Sequence, residues 1–114
     1  MGRAFTVNKT LGFLTLSKQR MRVVVGHGGR LDVSVNVTQP ARLTVTVRNA
    51  AGAVRRVLHS GDVGRGRLSW RWDGRNKWGG VVWSGLYTVS VRARNALGAV
   101  SLRKHVRVVR IRPS

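Results

Sequence analysis

Apolar and polar residues alternate along most of this chain. The alternation is clearest over residues 31–37, LDVSVNV, and residues 43–47, LTVTV. A period of two residues is typical of a β-strand with one buried and one solvent-facing side. No stretch sustains the 3.6-residue period of a helix, and the strand-like runs recur about every ten residues. The pattern therefore predicts an all-β chain of about seven to eight strands, a sandwich or a small barrel. The remaining strand-like runs cover residues 10–17, 21–25, 54–58, 67–73, 87–94 and 100–111.

The first of these runs, residues 10–17, has apolar residues on both parities. Leu11 and Phe13 share one parity with Thr15, while Leu14 and Leu16 occupy the other. Such a pattern predicts either a strand buried on both sides or an edge segment that crosses between sheets.

Two nearly identical stretches, RNAAGAV at residues 48–54 and RNALGAV at residues 94–100, each lie between two β-prone runs. Asparagine favours the start of a turn, and glycine tolerates the positive φ that hairpin loops require. We therefore predict a hairpin turn at each stretch, with turn geometry rather than a shared binding role as the cause of the repetition. Ser60, Gly61 and Asp62 are also predicted to form a turn.

The segment from Arg67 to Ala93 combines two strand patterns with a dense turn signal between them. Trp70 and Trp72 share one parity of the first strand and are predicted to be core residues. Because glycines and other turn residues separate the two patterns, we predict a long β-hairpin with an extended connection.

The turn region of this segment has a distinctive order. The residues WDGRN at 72–76, GG at 79–80, VV at 81–82 and SGLY at 84–87 resemble the WDG(R/K)(D/N)xxGxxVxSGxY signature of FlgD/Vpr-type immunoglobulin-like domains. Residues 39–47, QPARLTVTV, and residues 94–98 are similar to flanking parts of that family, so the resemblance covers about residues 31–110. The matching signature positions, which the resemblance implies are structural, are Trp72, Asp73, Gly74, Gly79, Gly85 and Tyr87.

The resemblance implies an immunoglobulin/fibronectin-like antiparallel β-sandwich. Domains of this family serve as non-catalytic accessory modules in flagellar hook-capping proteins, secreted proteases and bacterial surface proteins. It implies a structural or interaction module whose partners are neighbouring domains of a parent protein or other envelope proteins. The implied location is extracellular or in the cell envelope, as part of a larger exported protein. Nothing in the sequence matches the assembly-directing segment of a hook cap.

The length of 114 residues suits a single domain. We expect residues 1–10 to be a leader or linker and residues 11–112 to form the domain. Residues 8–12 resemble the Asn-to-Gly turns further on, as if a preceding unit ended there. No apolar run of the kind a secretory signal needs is visible near residue 1.

Charge is the unusual feature of the composition. The chain has 22 Lys and Arg against 3 Asp and Glu, a formal net charge of +19. The alternative function is therefore a basic module that binds a polyanion, either nucleic acid or an anionic cell-wall polymer. A competing explanation is a general compositional bias towards arginine. If the strands that carry them pair, one basic face would contain Arg67, Arg71, Arg92, Arg94, Arg103 and Arg107.

Candidate catalytic and metal-binding chemistry is sparse. Asp32, Asp62 and Asp73 are separated along the chain, and Asp73 is placed to accept a local backbone N–H bond within its turn. The three histidines have no metal-ligand spacing, and the chain has no cysteine. We therefore expect no catalytic residues, no metal, no cofactor and no enzymatic activity.

Trp78 and Trp83 lie within the signature loop. We expect them to plug the open end of the sandwich. The alternative is an exposed apolar patch that contacts a partner or a neighbouring domain.

Overall fold

The computed structural model describes residues 10–112, which form an all-β fold. Eight strands are present in this part of the chain. Their bounds are β1 Leu11–Leu16, β2 Arg20–Val24, β3 Leu31–Val37, β4 Ala41–Arg48, β5 Val54–Val63, β6 Gly66–Trp72, β7 Gly85–Asn95 and β8 Gly98–Ile111.

The strands form two packed sheets, which confirms the predicted sandwich. One sheet has three strands in the order β1-β3-β6, and the other has five in the order β2-β8-β7-β4-β5. The neighbouring pairs are antiparallel except β2 and β8, which run parallel. No helix in the described residues is long and apolar enough to cross a membrane.

The core lies between the sheets and follows the predicted alternation. On β3, Leu31 and Val33 are fully buried while the intervening Asp32 faces outwards. On β4, Leu43 and Val45 are also fully buried. Since apolar burial is the main favourable term in folding, these alternating positions fix which side of each sheet faces inwards.

The predicted hairpin between β6 and β7 is wrong. β6 pairs with β3 in the three-stranded sheet, whereas β7 lies between β4 and β8 in the other sheet. The connection between β6 and β7 is long enough to cross from one sheet to the other. As a result, the rings of Trp72 and Tyr87 meet across the core, with their centroids 5.7 Å apart.

Of the two alternatives predicted for the first strand, the structure has the edge strand. In β1, a register irregularity between Leu11 and Leu14 puts both side chains in the core and leaves Phe13 exposed. The predicted turn at residues 60–62 instead continues β5, which pairs with β4 as far as Val63. Thr10, assigned to the leader, is buried.

Both predicted hairpin turns are present, and a third copy of the same turn occurs in the signature loop. The Asn49 side chain accepts hydrogen bonds from the N–H groups of Ala51 and Ala53. The Asn76 side chain accepts from Trp78 and Gly80 in the same spacing. These bonds satisfy backbone N–H groups in the loop that have no partner on a neighbouring strand. An Asn followed three residues later by Gly therefore specifies this turn.

Candidate functional site

The outer face of the five-stranded sheet, turned away from the core, carries a series of exposed arginines. The strand registers place them in six consecutive rows across the sheet. In order along the strands, the first row contains Arg42 and Arg94, and the next three rows contain Arg92, Arg103 and Arg48, one each. The fifth row contains Arg107 and Arg20, and the sixth contains Arg22. We call these eight residues the arginine track.

The ion pairs of residues 10–112 involve Asp32 and Asp73, neither of which belongs to the track. Asp62 lies opposite Arg42 in the register, with no ion pair formed between them. The track therefore has an uncompensated positive charge over most of its length, which attracts polyanions.

A depression in the middle of the track has a floor of hydroxyl groups. Its volume is about 460 Å³, and it is walled by Arg48, Arg92 and Arg103. Hydroxyl groups and guanidinium groups both donate hydrogen bonds to phosphate or sulfate oxygens. The hydroxyl-bearing residues of the floor are Thr44, Thr46, Thr88, Ser90 and Ser101.

The six arginines predicted from the sequence are divided between the two sheets. Arg92, Arg94, Arg103 and Arg107 belong to the track. The other two lie on β6, whose partner is β3 rather than β7.

Arg67 and Arg71 therefore face solvent on the opposite side of the sandwich. There, Arg71 Nε lies 3.7 Å from Asp32 Oδ1, so part of its charge is compensated. The prediction of a single basic face that includes both β6 arginines is therefore wrong, because β6 belongs to the other sheet.

Four track residues were not predicted: Arg20, Arg22, Arg42 and Arg48. All four alternate with buried residues of β2 and β4. Their polar parity is visible in the sequence, but the pairing of β4 with β7 and of β2 with β8 is not. Knowledge of that pairing is required to bring these arginines beside the predicted ones.

The signature residues Trp72, Asp73 and Gly74 form a hydrogen-bonded corner at the end of β6. Trp72 is fully buried, and its indole N–H donates to the Arg75 carbonyl at 3.0 Å. The Asp73 carboxylate accepts the Arg75 backbone N–H at 3.0 Å, as predicted, and also lies 3.5 Å from Arg56 Nη1. Gly74 has a φ of 76°, and a Cβ there would collide with Val23. These contacts explain the need for a Trp-Asp-Gly order on structural grounds.

The two tryptophans of the signature loop do not plug the sandwich. Trp78 is 71% exposed and Trp83 is 74% exposed. Arg110 lies over the Trp83 ring, 3.9 Å from its centroid, and Lys77 lies 4.8 Å from the centroid of Trp78. The expectation of a plug was wrong, and both rings are available for contact with another molecule.

Tyr87, at the start of β7, is anchored to the same loop. Its hydroxyl donates to the Trp83 carbonyl at 2.8 Å, and its ring is buried. Burial raises the pKa of Tyr87 above the ordinary value of 10.0, while the positive charge of Arg55 opposes this rise. The neutral phenol is therefore part of the folded corner.

We predict that Tyr87→Phe makes the stability of the domain less sensitive to alkaline pH. Because the folded state holds this proton to higher pH than the unfolded state, its contribution is complete below the unfolded pKa and is lost as the pH rises through the folded pKa. At neutral pH the lost hydrogen bond costs about 1 kcal/mol. Urea unfolding from about pH 7 to about pH 11.5 measures both effects. Parallel stability curves for the two proteins would contradict the prediction.

The histidines of the described residues do not form a metal site. Among residues 10–112, no group of three or more His, Cys, Asp or Glu side chains is arranged to hold a metal ion. The His59 ring packs at a tilt against the half-buried Trp70, with ring centroids 5.4 Å apart, and its buried Nε2 has no hydrogen-bond partner among the described residues. His105 Nδ1 lies 3.0 Å from the Thr88 hydroxyl. These contacts give His59 and His105 packing and surface roles.

Comparisons with known structures agree with the sandwich described above. FlgD from P. aeruginosa is similar, with a TM-score of 0.57 and 20% identity over 68% of this chain and 60% of that chain. The alkylpurine DNA glycosylase AlkC of Pseudomonas fluorescens, solved bound to DNA containing an abasic site analog, has a TM-score of 0.50 and 15% identity. That match covers 88% of this chain and 30% of AlkC. At these identities the likenesses show a shared fold.

No curated protein sequence matches the chain. The sequence profile of the FlgD Ig-like domain, however, matches residues 20–96, a span that includes the whole Trp-Asp-Gly corner and β7. Since this match covers well over half of the chain and the fold agrees with it, the chain belongs to the FlgD Ig-like domain family.

Proposed function

We propose that this domain is a non-enzymatic structural and interaction module of a larger exported or cell-envelope bacterial protein. Its family membership supports a modular role. The match to FlgD spans 60% of the solved FlgD chain, which is consistent with a part of a longer protein. Its contacts would be made with neighbouring domains or other envelope proteins.

The observation that carries the interaction role is an apolar cleft at the signature-loop end of the sandwich. The cleft has a volume of about 490 Å³, and exposed Trp83 and Leu86 line it together with Tyr87. Exposed apolar groups that cluster in a concave surface are typical of interaction sites. Cation–π contact with Arg110 restricts the Trp83 ring, so less side-chain freedom is lost when a partner binds.

Photo-crosslinking in the organism that produces the protein tests this role. A photoreactive residue at Trp83 should yield crosslinks to envelope or extracellular polypeptides, including other parts of the parent chain. The matched control is Leu97, which is also exposed but belongs to the β7–β8 turn at the opposite end of the sandwich. Recovery of the domain in the cytosolic fraction, or equal crosslinking from both positions, would contradict the proposal.

Polyanion binding is the second candidate function, and the arginine track favours it. The track gathers eight exposed arginines on one sheet face, beside hydroxyl groups that add hydrogen-bond donors. Binding to double-stranded DNA, RNA and an anionic wall polymer should be measured across a salt series. Retention near physiological salt supports this function, and no binding at low salt would exclude it.

A further inference from the structure

The arginine track has a regular repeat along the strands. Residues two positions apart on one strand face lie about 6.8 Å apart, since an antiparallel strand rises about 3.4 Å per residue. Every one of the six rows contributes at least one arginine. The rows therefore repeat about every 7 Å over about 34 Å along the strands, and their arginines are spread over the four adjacent strands β2, β8, β7 and β4.

This repeat matches the geometry of an extended phosphodiester chain. Two residues of polypeptide contain six backbone bonds and span about 7 Å when extended. A chain in which three carbons separate successive phosphodiesters also has six bonds from one phosphorus atom to the next. Extended along β7 and β8, such a polymer would present one phosphate to each row of arginines, where a guanidinium can bind it through two hydrogen bonds.

The composition of the rows favours a polymer without bases. Proteins that hold single-stranded nucleic acid combine a basic groove with aromatic side chains on which the bases stack. None of the six rows contains Trp, Tyr or Phe among the described residues. The middle of the track offers Ser and Thr hydroxyls instead, which suit the hydroxyl and phosphate oxygens of a polyol phosphate.

The arrangement also has a cost to folding. Arg42 lies directly opposite Arg94, and Arg20 opposite Arg107. Like charges directly opposite each other destabilise a sheet. An anionic ligand on the track would relieve this repulsion, so the two pairs are more consistent with a binding surface than with a face whose only task is solubility.

We propose that the arginine track binds a base-free, extended phosphodiester polymer of the poly(polyol phosphate) type, lying along β7 and β8. The inference rests on the second candidate function and specifies its ligand. It accords with an envelope location, where a polymer of this kind would be a component of the cell wall.

Affinity as a function of chain length and salt tests the proposal. Labelled glycerol phosphate oligomers of increasing length are titrated with the domain and followed by fluorescence anisotropy. Affinity should rise with length and level off at about six phosphates, one for each row. The slope of log K against log salt should then reach about −4, from about 0.7 per phosphate on a single chain. Affinity that still rises steeply beyond about twelve phosphates would overturn a track of this length.

Matched double variants locate the site. Arg92→Ser with Arg103→Ser removes two charges from the track, and should reduce the slope by about 1.4 and the affinity by at least tenfold. Arg65→Ser with Arg67→Ser removes the same charge from β6 and the turn before it, and should change affinity less than about twofold. Because all four arginines are exposed, both variants should remain folded, which circular dichroism checks. An equal loss in both variants would overturn the proposal in favour of net charge alone.

The competing polymer is tested with oligo-dT and an abasic deoxyribose phosphate chain of the same length. Similar affinity for the two supports backbone recognition without bases. Binding of oligo-dT more than tenfold tighter than the abasic chain would overturn the proposal in favour of nucleic acid. If the proposal of a base-free polymer fails in this test, the crosslinking result at Trp83 is unaffected. If the envelope assignment fails instead, the plateau at six phosphates is unaffected. The two claims can therefore be overturned independently.

Discussion

Replacing Trp72 by Ala is expected to destabilise the domain by about 4 kcal/mol, within the range for truncation of a large aromatic core residue. Trp72 is fully buried and contacts Tyr87 across the core, so its removal leaves a cavity that joins both sheets. Because domains of this size are stable by only about 5–15 kcal/mol, this loss would remove a large fraction of the free energy of unfolding. Urea denaturation followed by far-UV circular dichroism measures the effect.

Two controls separate the contributions of Trp72. Trp72→Phe keeps much of the apolar volume but leaves the Arg75 carbonyl without its indole donor, so an intermediate loss of about 2 kcal/mol is expected. Trp78→Ala removes an exposed tryptophan, and should change stability by about 0.5 kcal/mol or less. A Trp72→Ala variant no less stable than Trp78→Ala would show that Trp72 is not the centre of the core.

Replacing Gly74 by Ala is expected to cost about 3 kcal/mol, from unfavourable backbone conformation and overpacking together. Gly74 has a φ of 76°, and its added Cβ would collide with Val23 on β2. The corner would then have to move away from the five-stranded sheet. Thermal and urea unfolding of the variant measure this loss.

Gly79→Ala is the matched control for Gly74→Ala. Gly79 has a similar φ of 89°, but no atom of the described part of the chain lies within 4 Å of the position of its added Cβ. It should therefore lose about 1 kcal/mol, from backbone conformation alone. Combining Gly74→Ala with Val23→Ala should cost less than the sum of the two single changes, because the collision is removed. Equal losses in the Gly74 and Gly79 variants would contradict the close approach of Gly74 to Val23.

Local features of the fold were predictable because local rules determine them. The alternation over residues 31–37 identifies β3 and its buried side, and the Asn-to-Gly spacing identifies the turns around Asn49 and Asn95. The resemblance in the Trp72–Tyr87 region identifies the family. In each case the residues that carry the signal are neighbours in sequence.

The long-range arrangement was not predictable from the same signals. A strand, a loop and another strand form either a hairpin or a crossover between sheets, and the pattern around Trp72 and Tyr87 is compatible with both. The wrong choice placed Arg67 beside Arg92, although the two lie on opposite sheets. The parallel pairing of β2 with β8, which adds Arg20 and Arg22 to the track, depends on contacts more than eighty residues apart along the chain.

The two proposed surfaces meet at Leu86, which lines the apolar cleft and lies opposite Arg107 of the track. The apolar cleft beside Trp83 lies at the signature-loop end, while the arginine track extends along the outer face of the five-stranded sheet. A module of this kind can contact a protein partner at one end while its sheet face holds an anionic polymer. In these two proposals, the exposed aromatic residues and the basic residues have separate binding roles.

The most direct test of this account is an NMR titration of the folded domain with a six-phosphate glycerol phosphate oligomer. We predict that the perturbed backbone amides belong to β2, β4, β7 and β8 and follow the rows of the arginine track. Amides near Arg67 and Arg71 on β6 should shift little, although those residues are also basic and exposed. Shifts of similar size on both sheets, or shifts concentrated on β6, would contradict the track as the binding surface.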